Sequence, residues 1–230
     1  MFKTILFDLD DTILDFKKAE AVALSKTLTE QGITPTDEVI SLYSKINASM
    51  WKRLEKGELT RAQVLVMRFE EFFRELDVKA DANKTKTLYE QYLSVGHFFV
   101  DGAYEVLEKI HSQYDLYLVS NGTYKVQEGR LNSSNIKKFF KGIFISEKLG
   151  CVKPQREFFS KVFNEIPNVD LEKTIIIGDS LSSDIKGGNN VGIKTCWFNP
   201  KKAENNTDCV VDYEIHKLDE IYDILSCQMK

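Results

Sequence analysis

The sequence has few of the residues that build disulfide frameworks, zinc sites or histidine-based active sites. It contains four cysteines and three histidines in 230 residues, and no two cysteines have the Cys-x-x-Cys spacing. We therefore expect reduced, partly buried thiols in a cytoplasmic protein. The histidines lie far apart, which argues against a zinc cluster, and nothing else supports histidine-based nucleophilic catalysis, which spacing alone leaves open. These residues are Cys151, Cys196, Cys209 and Cys227 and His97, His111 and His216.

Long apolar runs and an excess of positive charge are missing as well. No hydrophobic stretch approaches the length of a membrane-spanning helix, and the first residues run straight into a predicted strand, which leaves no room for a signal peptide. The net charge of −4 at pH 7 provides no basic surplus for the backbone of a nucleic-acid polymer. A single nucleotide bound through a metal ion is compatible with that charge. We therefore expect a cytoplasmic protein with no membrane or nucleic-acid polymer as partner.

What the sequence does have is a short apolar strand that ends abruptly in acids. Ile5, Leu6 and Phe7 form a continuous apolar run, which indicates a strand buried on both faces of a parallel sheet. The run ends at Asp8 and Asp10, at the carboxyl edge where open α/β folds bind their ligands. Two carboxylates this close repel each other unless a cation lies between them, and oxygen ligands favour Mg²⁺. Taken alone, the same acids also fit a polar strand end followed by a turn.

The rest of the chain divides into a helical part and an alternating part. Apolar residues recur at helical spacing from residue 15 to residue 96, with breaks near Gly32, Gly57 and Asp81. Strand-like and helix-like segments then alternate up to a last predicted strand at residues 210–211. This alternation predicts an α/β fold with a doubly wound parallel sheet formed by residues 1–14 and 97–230. The inserted residues 15–96 are expected to form a helical cap over the carboxyl edge of that sheet.

Acids at two predicted strand ends provide groups for phosphoryl transfer through a covalent intermediate. We expect Asp8 to attack phosphorus and form an aspartyl-phosphate. We expect Asp10 to protonate the leaving oxygen and later to take a proton from water. Asp179 follows another apolar strand and completes the predicted metal site with Asp8 and Asp10. By itself, the segment around Asp179 also fits a helix N-cap.

A turn and a loop lysine form the predicted phosphate site. Ser120 ends a predicted strand, and together with the backbone N–H groups of Asn121 and Gly122 it is expected to hold the phosphoryl oxygens. Lys153 offers a compact positive charge that offsets both the phosphate and the crowded carboxylates. Alone, the first segment would be an ordinary turn and the second a surface loop.

Two further residues are predicted to support this set without touching the substrate. Asp184 is expected to orient Lys153 or a metal-bound water, and Thr12 follows the first acids directly. Asp184 alone would be a solvated helix residue. The joint occurrence of all these groups in this order, each at the end of a predicted strand or in the lysine loop, favours the catalytic interpretation.

The same residues resemble the four signatures of the haloacid dehalogenase-like hydrolases. The matching segments span nearly the whole chain, and they are Asp8-Leu9-Asp10-Asp11-Thr12, Ser120-Asn121-Gly122, Lys153-Pro154, and Gly178-Asp179-Ser180 with Asp184. The resemblance implies a Rossmann-like core, a magnesium-dependent phosphatase reaction and an α-helical cap inserted after the first strand. Dehalogenases of that superfamily lack the second acid, so the presence of Asp10 favours phosphate ester hydrolysis.

Longer segments are similar to the bacterial pyrimidine 5′-nucleotidase branch, whose members remove phosphate from nucleoside monophosphates such as UMP, dUMP and dTMP. These segments are residues 47–51, 145–154, 184–192 and 195–197. Asp101-Gly102 departs from the branch, because relatives usually have Pro-Gly before the core helix. The departure bears on the rigidity of the second hinge and not on the chemistry.

The cap is expected to choose the substrate, because the core handles only the phosphate. Trp51, Tyr43 and Phe69 offer aromatic faces on which a base could stack. Asn47 and Arg68 offer polar groups that could read the edges of the base. For each of them a place in the interior of the helix bundle is the stronger alternative. Asn47 and Trp51 are retained as the predicted specificity residues.

These inferences lead to a cytoplasmic, magnesium-dependent phosphatase for nucleoside 5′-monophosphates, with the pyrimidine type favoured. A phosphatase for a sugar phosphate or phosphoglycolate on the same core is the alternative within the enzyme class. A catalytically idle binding module is the alternative outside it, because a fold does not fix a function. In either enzyme the partner is a small phosphate monoester, and the sequence leaves the oligomeric state open.

Overall fold

The computed structural model describes residues 1–226 of the 230-residue chain. Within that range the strands are β1 (Thr4–Phe7), β2 (Asp115–Ser120), β3 (Gly142–Ile145), β4 (Thr174–Gly178), β5 (Lys194–Phe198) and β6 (Tyr213–Ile215). They form one sheet in the order β3-β2-β1-β4-β5-β6, and all the pairs are parallel. The predicted parallel α/β sheet is confirmed.

The register of the central strands places three loops side by side. Phe7, the last residue of β1, lies opposite Leu118 of β2 and Ile177 of β4. Because the three strands are parallel, the residues that follow them emerge at one edge of the sheet. This edge therefore receives Asp8 directly after β1, together with the turns that follow β2 and β4.

The last strand lies three residues beyond its predicted position. The prediction at residues 210–211 is wrong, because β6 begins at Tyr213. Val210 is 65% exposed, and the side chain of Asn189 bonds both its N–H, at 2.8 Å, and its carbonyl, at 2.9 Å. A side chain thus satisfies the backbone groups that a neighbouring strand would otherwise pair.

Helices cover both faces of the sheet, as the alternation of buried residues along β1 requires. Ile5 and Phe7 belong to one buried cluster, and Leu6 belongs to another on the opposite face. The core helices are α5 (Ala103–Ile110), α6 (Tyr124–Ser134), α7 (Ser146–Leu149), α8 (Arg156–Glu165), α9 (Lys186–Val191) and α10 (Ile221–Ser226). Helices α5, α6 and α10 contribute to the first cluster, and α8 contributes to the second.

Residues 16–93 form four helices between β1 and α5. They are α1 (Phe16–Glu30), α2 (Asp37–Glu55), α3 (Arg61–Glu75) and α4 (Ala82–Leu93). Each begins after a residue whose side chain accepts a hydrogen bond from the first turn, and these residues are Asp15, Thr36, Thr60 and Asp81. Such caps satisfy backbone N–H groups that the helix itself leaves free. We call these four helices the cap.

Aromatic side chains fill the interior of the cap. Tyr43, Phe69, Phe72 and Tyr89 are fully buried, with ring centroids 5.1–5.5 Å apart in the pairs that Tyr43 makes with the other three. Tyr43 and Phe69 therefore belong to the packing of the bundle and offer no face to a substrate. Both residues thus lie in the interior of the helix bundle, which was the alternative to a stacking role.

The two connections between the sheet and the cap run side by side. Asp15 N–H donates to the carbonyl of Phe98 at 2.8 Å, and Val100 N–H donates to the carbonyl of Ile13 at 3.0 Å. These bonds lie near the expected boundaries, and the division into residues 1–14 and 97–230 as core and 15–96 as cap stays a prediction.

Two sequence expectations concern thiols and membranes. Cys151, Cys196 and Cys209 are buried and unpaired, whereas Cys227 lies outside the described residues. Among residues 1–226, no helix combines the length and the apolar character needed to cross a membrane.

Candidate active site

Lys153 lies at the centre of a buried ion cluster at the carboxyl edge of the sheet. Its ammonium donates to Asp8 Oδ1 at 2.6 Å, to Asp184 Oδ1 at 2.7 Å and to the carbonyl of Val119 at 2.9 Å. Only 1% of its side chain is exposed. Burial acts to lower the pKa of Lys153, but the carboxylates of Asp184 and Asp8 outweigh it and raise the pKa above its ordinary value. Asp184 thus contacts Lys153, which is one of the two roles expected for it.

The side chain of Asn121, in the turn after β2, forms two hydrogen bonds with the backbone of Lys153. Asn121 Nδ2 donates to the carbonyl of Lys153 at 2.9 Å, and Lys153 N–H donates to Asn121 Oδ1 at 2.8 Å. Asn121 and Gly122 line the cavity described below. The Ser120 side chain is fully buried, and its hydroxyl accepts from Gly122 N–H at 3.1 Å. Ser120 therefore shapes the turn, while the next two residues face the cavity.

Three carboxylates, which we call the carboxylate cluster, face one another beside the lysine. One oxygen each from Asp8, Asp179 and Asp184 lies within 4.8 Å of the others. Burial raises the pKa of Asp8 to about 8, with Lys153 opposing the shift and Asp184 reinforcing it. Burial also raises the pKa of Asp179 well above its ordinary value, and the charge of Asp8 adds to that shift. The single ammonium does not balance the cluster, and hard oxygen donors at this spacing fit a divalent cation.

Two hydrogen bonds position Asp179 and Asp184, the two acids that follow β4. Asp179 N–H donates to Thr12 Oγ1 at 3.1 Å, and Ser180 N–H donates to Asp184 Oδ2 at 3.1 Å. A Cβ on Gly178 would lie 2.2 Å from Asp184 Oδ2, so the close approach of this carboxylate requires glycine. Thr12 therefore supports the position of Asp179 through its backbone.

Asp10 lies outside the carboxylate cluster, and its carboxylate points to α6. Gln127 Nε2 donates to Asp10 Oδ2 at 2.6 Å, and the Arg130 guanidinium donates to Asp10 Oδ1. Both partners are buried. Sequence reasoning missed Gln127 and Arg130. The available signal was a pair of long polar side chains three positions apart, hence on one helix face, directly after the turn at Ser120.

A cavity of about 270 Å³ lies between the core and the cap. Its core side includes Asp8, Asp10 and Lys153, and its cap side includes Asn47 and Trp51. The structure therefore brings both predicted specificity residues to the same space as the predicted nucleophile, acid and phosphate-binding lysine. A concave space lined by both parts of the chain can hold a small ligand.

Buried and half-buried polar side chains from all four cap helices meet at the cap side of the cavity. Asn47 Nδ2 donates to Glu20 Oε1 at 2.7 Å, while Asn47 Oδ1 accepts from Trp51 Nε1 at 3.0 Å and from Arg68 at 3.1 Å. Arg68 also lies 3.9 Å from Glu90. Both ends of the Asn47 amide are thus engaged within the cap, and one of them orients the Trp51 indole.

Two residues that sequence reasoning missed connect the cap to the core. Arg61 donates to the carbonyls of Asn121 at 2.8 Å and Gly122 at 3.0 Å. Ser182 donates to Glu55 Oε2 at 2.8 Å. Since both pairs join elements far apart in the sequence, local patterns carried no signal for them. They hold the cap against the two turns that build the site.

A model of the haloacid dehalogenase-like hydrolase family matches residues 5–198. The chain belongs to this family. The HAD-hydrolase YfnB of Bacillus subtilis is 42% identical over 99% of this chain and 97% of its own. The crystal structure of YfnB bound to magnesium has a TM-score of 0.93 with 43% identity, covering 97% of this chain and 98% of that one. The predicted family and its α/β fold with a helical cap are confirmed.

Two relatives carry the name pyrimidine 5′-nucleotidase. PynA of Streptococcus pneumoniae is 37% identical over 97% of this chain and 95% of its own length. YjjG of Escherichia coli is 26% identical over 96% of each chain. The sequence indicated a similarity to the pyrimidine 5′-nucleotidase branch, and these two relatives confirm it.

Magnesium should stabilise the protein more at high pH than at low pH. Burial raises the pKa of Asp8 to about 8 and raises the pKa of Asp179, so protonation of these carboxyls stabilises the folded, metal-free chain at low pH. For Asp8, this contribution is lost as the pH rises through about 8. Protons compete with a cation for the same oxygens. Saturating MgCl₂ should therefore raise Tm by several degrees near pH 8, at about 2–4 °C per kcal/mol, and by clearly less near pH 6.

Thermal unfolding with MgCl₂ or EDTA measures this shift. Asp179→Asn is the control, because it removes one carboxylate of the cluster and should lose most of the magnesium effect. An equal shift in that variant, or a larger shift near pH 6 than near pH 8, would contradict the assignment.

Lys153→Met should destabilise the metal-free protein by about 3–5 kcal/mol, because it leaves buried carboxylates without their partner. Lys161→Met is the matched control, since the Lys161–Glu157 pair is largely exposed and solvent screens its charges, so its loss should change the stability little. Urea-induced unfolding compares the two variants. Equal stability of both would show that the buried ion cluster does not hold the loops together.

Proposed function

We propose that the chain, a phosphoric monoester hydrolase, removes the phosphate of nucleoside 5′-monophosphates with the help of Mg²⁺, with pyrimidine nucleotides favoured. The observation that carries the proposal is the shared cavity. It has acids and a buried lysine on its core side and an oriented indole on its cap side. The relatives named pyrimidine 5′-nucleotidase support the same substrate class.

Asp8 is the nucleophile in this proposal. Lys153 holds Oδ1 of Asp8 at 2.6 Å, which leaves Oδ2 as the oxygen that attacks phosphorus. A bond forms between this oxygen and phosphorus while the bond from phosphorus to the 5′-oxygen of the nucleoside breaks. Water then attacks the phosphorus of the aspartyl-phosphate, and phosphate leaves with the carboxylate restored.

Asp10 moves the protons of both steps. It gives a proton to the departing 5′-oxygen, and it then takes one from the attacking water. It lines the same cavity as Asp8, which is the space in which both atoms would lie. The proton balance closes over one turnover, so the residue ends in the state in which it began.

Positive charge at the phosphoryl group comes from two sources. Lys153 contributes a fixed charge. Asn121 and Gly122 line the cavity, but the N–H of Gly122 already donates to the Ser120 hydroxyl, which leaves the N–H of Asn121 as the backbone donor proposed for the phosphoryl oxygens.

Of the predicted metal ligands, Asp8 and Asp179 lie in the carboxylate cluster with Asp184, whereas both oxygens of Asp10 are bonded to α6. A Mg²⁺ ion held by Asp8 and Asp179 would supply the remaining positive charge that offsets the transferring group. The carboxylate cluster fits this ion, and the relative YfnB has been crystallised with magnesium.

Trp51 is the proposed platform for the base. The indole is half-buried at the cavity, and Asn47 fixes its orientation through the bond to Nε1. An aromatic face that is already fixed loses little conformational freedom when a base stacks on it. Asn47 contributes to specificity by holding Trp51 in this orientation.

Asp8→Asn should leave a folded protein that turns over at least about 10⁴-fold more slowly, as expected when a covalent nucleophile is lost. Steady-state release of phosphate from UMP in the presence of Mg²⁺ measures the rate, and circular dichroism checks the fold. Glu172→Gln alters an exposed acid near the amino end of β4 and should have full activity. Full activity of Asp8→Asn would end the nucleophile assignment.

Trp51→Leu should raise KM for UMP and dTMP by about tenfold or more, since stacking of a base on an aromatic side chain contributes about 1–3 kcal/mol. The same variant should hydrolyse ribose 5-phosphate, which lacks a base, with little change. Trp51→Phe keeps an aromatic face and should retain most of the affinity for nucleotides.

A panel of phosphate monoesters separates this substrate class from its alternatives. The proposal expects UMP and dTMP to be preferred over ribose 5-phosphate and phosphoglycolate by the wild-type enzyme. A preference for the sugar phosphates, or an equal effect of Trp51→Leu on both groups of substrate, would overturn the nucleotide assignment. No hydrolysis of any monoester with Mg²⁺ supplied would support an idle binding module.

A further inference from the structure

Two side chains of α6 donate hydrogen bonds to the two carboxylate oxygens of Asp10. Arg130 donates to Oδ1, and Gln127 Nε2 donates to Oδ2 at 2.6 Å. The two partners are also bonded to each other, because Arg130 donates to Gln127 Oε1 at 3.0 Å. A carboxylate held at both oxygens has one orientation, whereas a carboxylate held at one oxygen can rotate.

Gln127 ties this pair to the turn after β2. Its amide also donates to the buried hydroxyl of Ser120 at 2.9 Å. A Cβ on Gly122 would lie 2.3 Å from Gln127 Nε2. Glycine at this position therefore leaves the space that the Gln127 amide occupies.

Arg130 is anchored from the opposite side by the segment that leads from α4 back to the sheet. Its Nε donates to the carbonyl of Gly96 at 3.0 Å, and its guanidinium lies 5.7 Å from the ring of Phe16 at the start of α1. The neighbouring Gly129 packs so closely that a Cβ there would lie 2.5 Å from the carbonyl of Ser94. The guanidinium is fully buried, so these contacts determine its direction.

We propose that Arg130 and Gln127 are positioning residues for the acid–base step, because they hold the Asp10 carboxylate in the orientation from which it passes a proton to the leaving oxygen. The inference rests on the proposed role of Asp10. A guanidinium cannot accept a proton at ordinary pH, and an amide N–H only donates. Neither group can therefore take up the proton of Asp10, and each oxygen of Asp10 has a second lone pair that can carry it. That proton goes to the leaving oxygen as the bond to phosphorus breaks, and water returns it in the second step.

Two substrates with different leaving groups distinguish a role in positioning the acid from a general role in stabilising the fold. The alkoxide of a nucleoside needs a proton as it leaves, whereas p-nitrophenolate is stable enough to leave without one. Arg130→Met and Gln127→Leu should therefore lower kcat/KM for UMP at least about tenfold more than kcat/KM for p-nitrophenyl phosphate, because general acid catalysis contributes about 10²–10⁴-fold. Arg130→Lys keeps the charge and should recover part of the loss.

A double-variant test shows whether the two residues act through Asp10. Residues that act as a unit are not additive, so adding Gln127→Leu or Arg130→Met to Asp10→Asn should lower kcat/KM for UMP no further than Asp10→Asn alone. Arg156→Met, at an exposed position of α8, is the matched control and should be as active as the wild type on both substrates.

The outcomes distinguish the inference from the proposed function. If Asp10→Asn has wild-type kinetics, the acid–base assignment fails and the inference fails with it. If Asp10→Asn is slow but the α6 variants are unchanged, or lower both substrates equally, only the inference is overturned. Gln127→Leu keeps the inference testable where Arg130→Met unfolds, and thermal unfolding of each variant identifies that case.

Discussion

One buried ammonium holds the site together. Moving a charge out of water costs several kcal/mol unless a partner of opposite sign moves with it, so Lys153 can be buried only if Asp8 and Asp184 are buried beside it. This requirement brings the end of β1, the loop before α8 and the turn after β4 to one point. Parallel strands in register make the convergence possible, because their carboxyl ends share an edge.

The cap applies the same principle to recognition. Its polar side chains at the cavity are buried and bonded to one another, with Asn47 between Glu20, Arg68 and Trp51. Because both ends of the Asn47 amide are bonded, these contacts restrict the orientation of the Trp51 indole. In the proposed function the cap presents the indole to a substrate, while Arg61 bonds the cap to the turn that is proposed to face the phosphate. Chemistry and recognition thus lie on different parts of the fold that meet at one cavity.

The sequence was sufficient for the strands other than β6 and for the residues at their ends, because buried apolar runs and the acids after them are local signals. It was insufficient for Gln127, Arg130 and Arg61, whose roles depend on contacts between elements distant in the chain. Periodicity showed that Phe69 lies on a helix, and only packing showed that it faces the interior. Valines at 210–211 suggested a strand, but a side chain already bonds the backbone there.

The central claim is that the Asp8 side chain carries the phosphoryl group during turnover. Borohydride reduces an acyl phosphate on aspartate to homoserine, so enzyme quenched during turnover of UMP with Mg²⁺, treated with borohydride and digested can be read by peptide mass spectrometry. The account predicts homoserine at position 8, dependent on both substrate and metal. An unmodified Asp8 under conditions that show turnover, or homoserine at another aspartate, would contradict it.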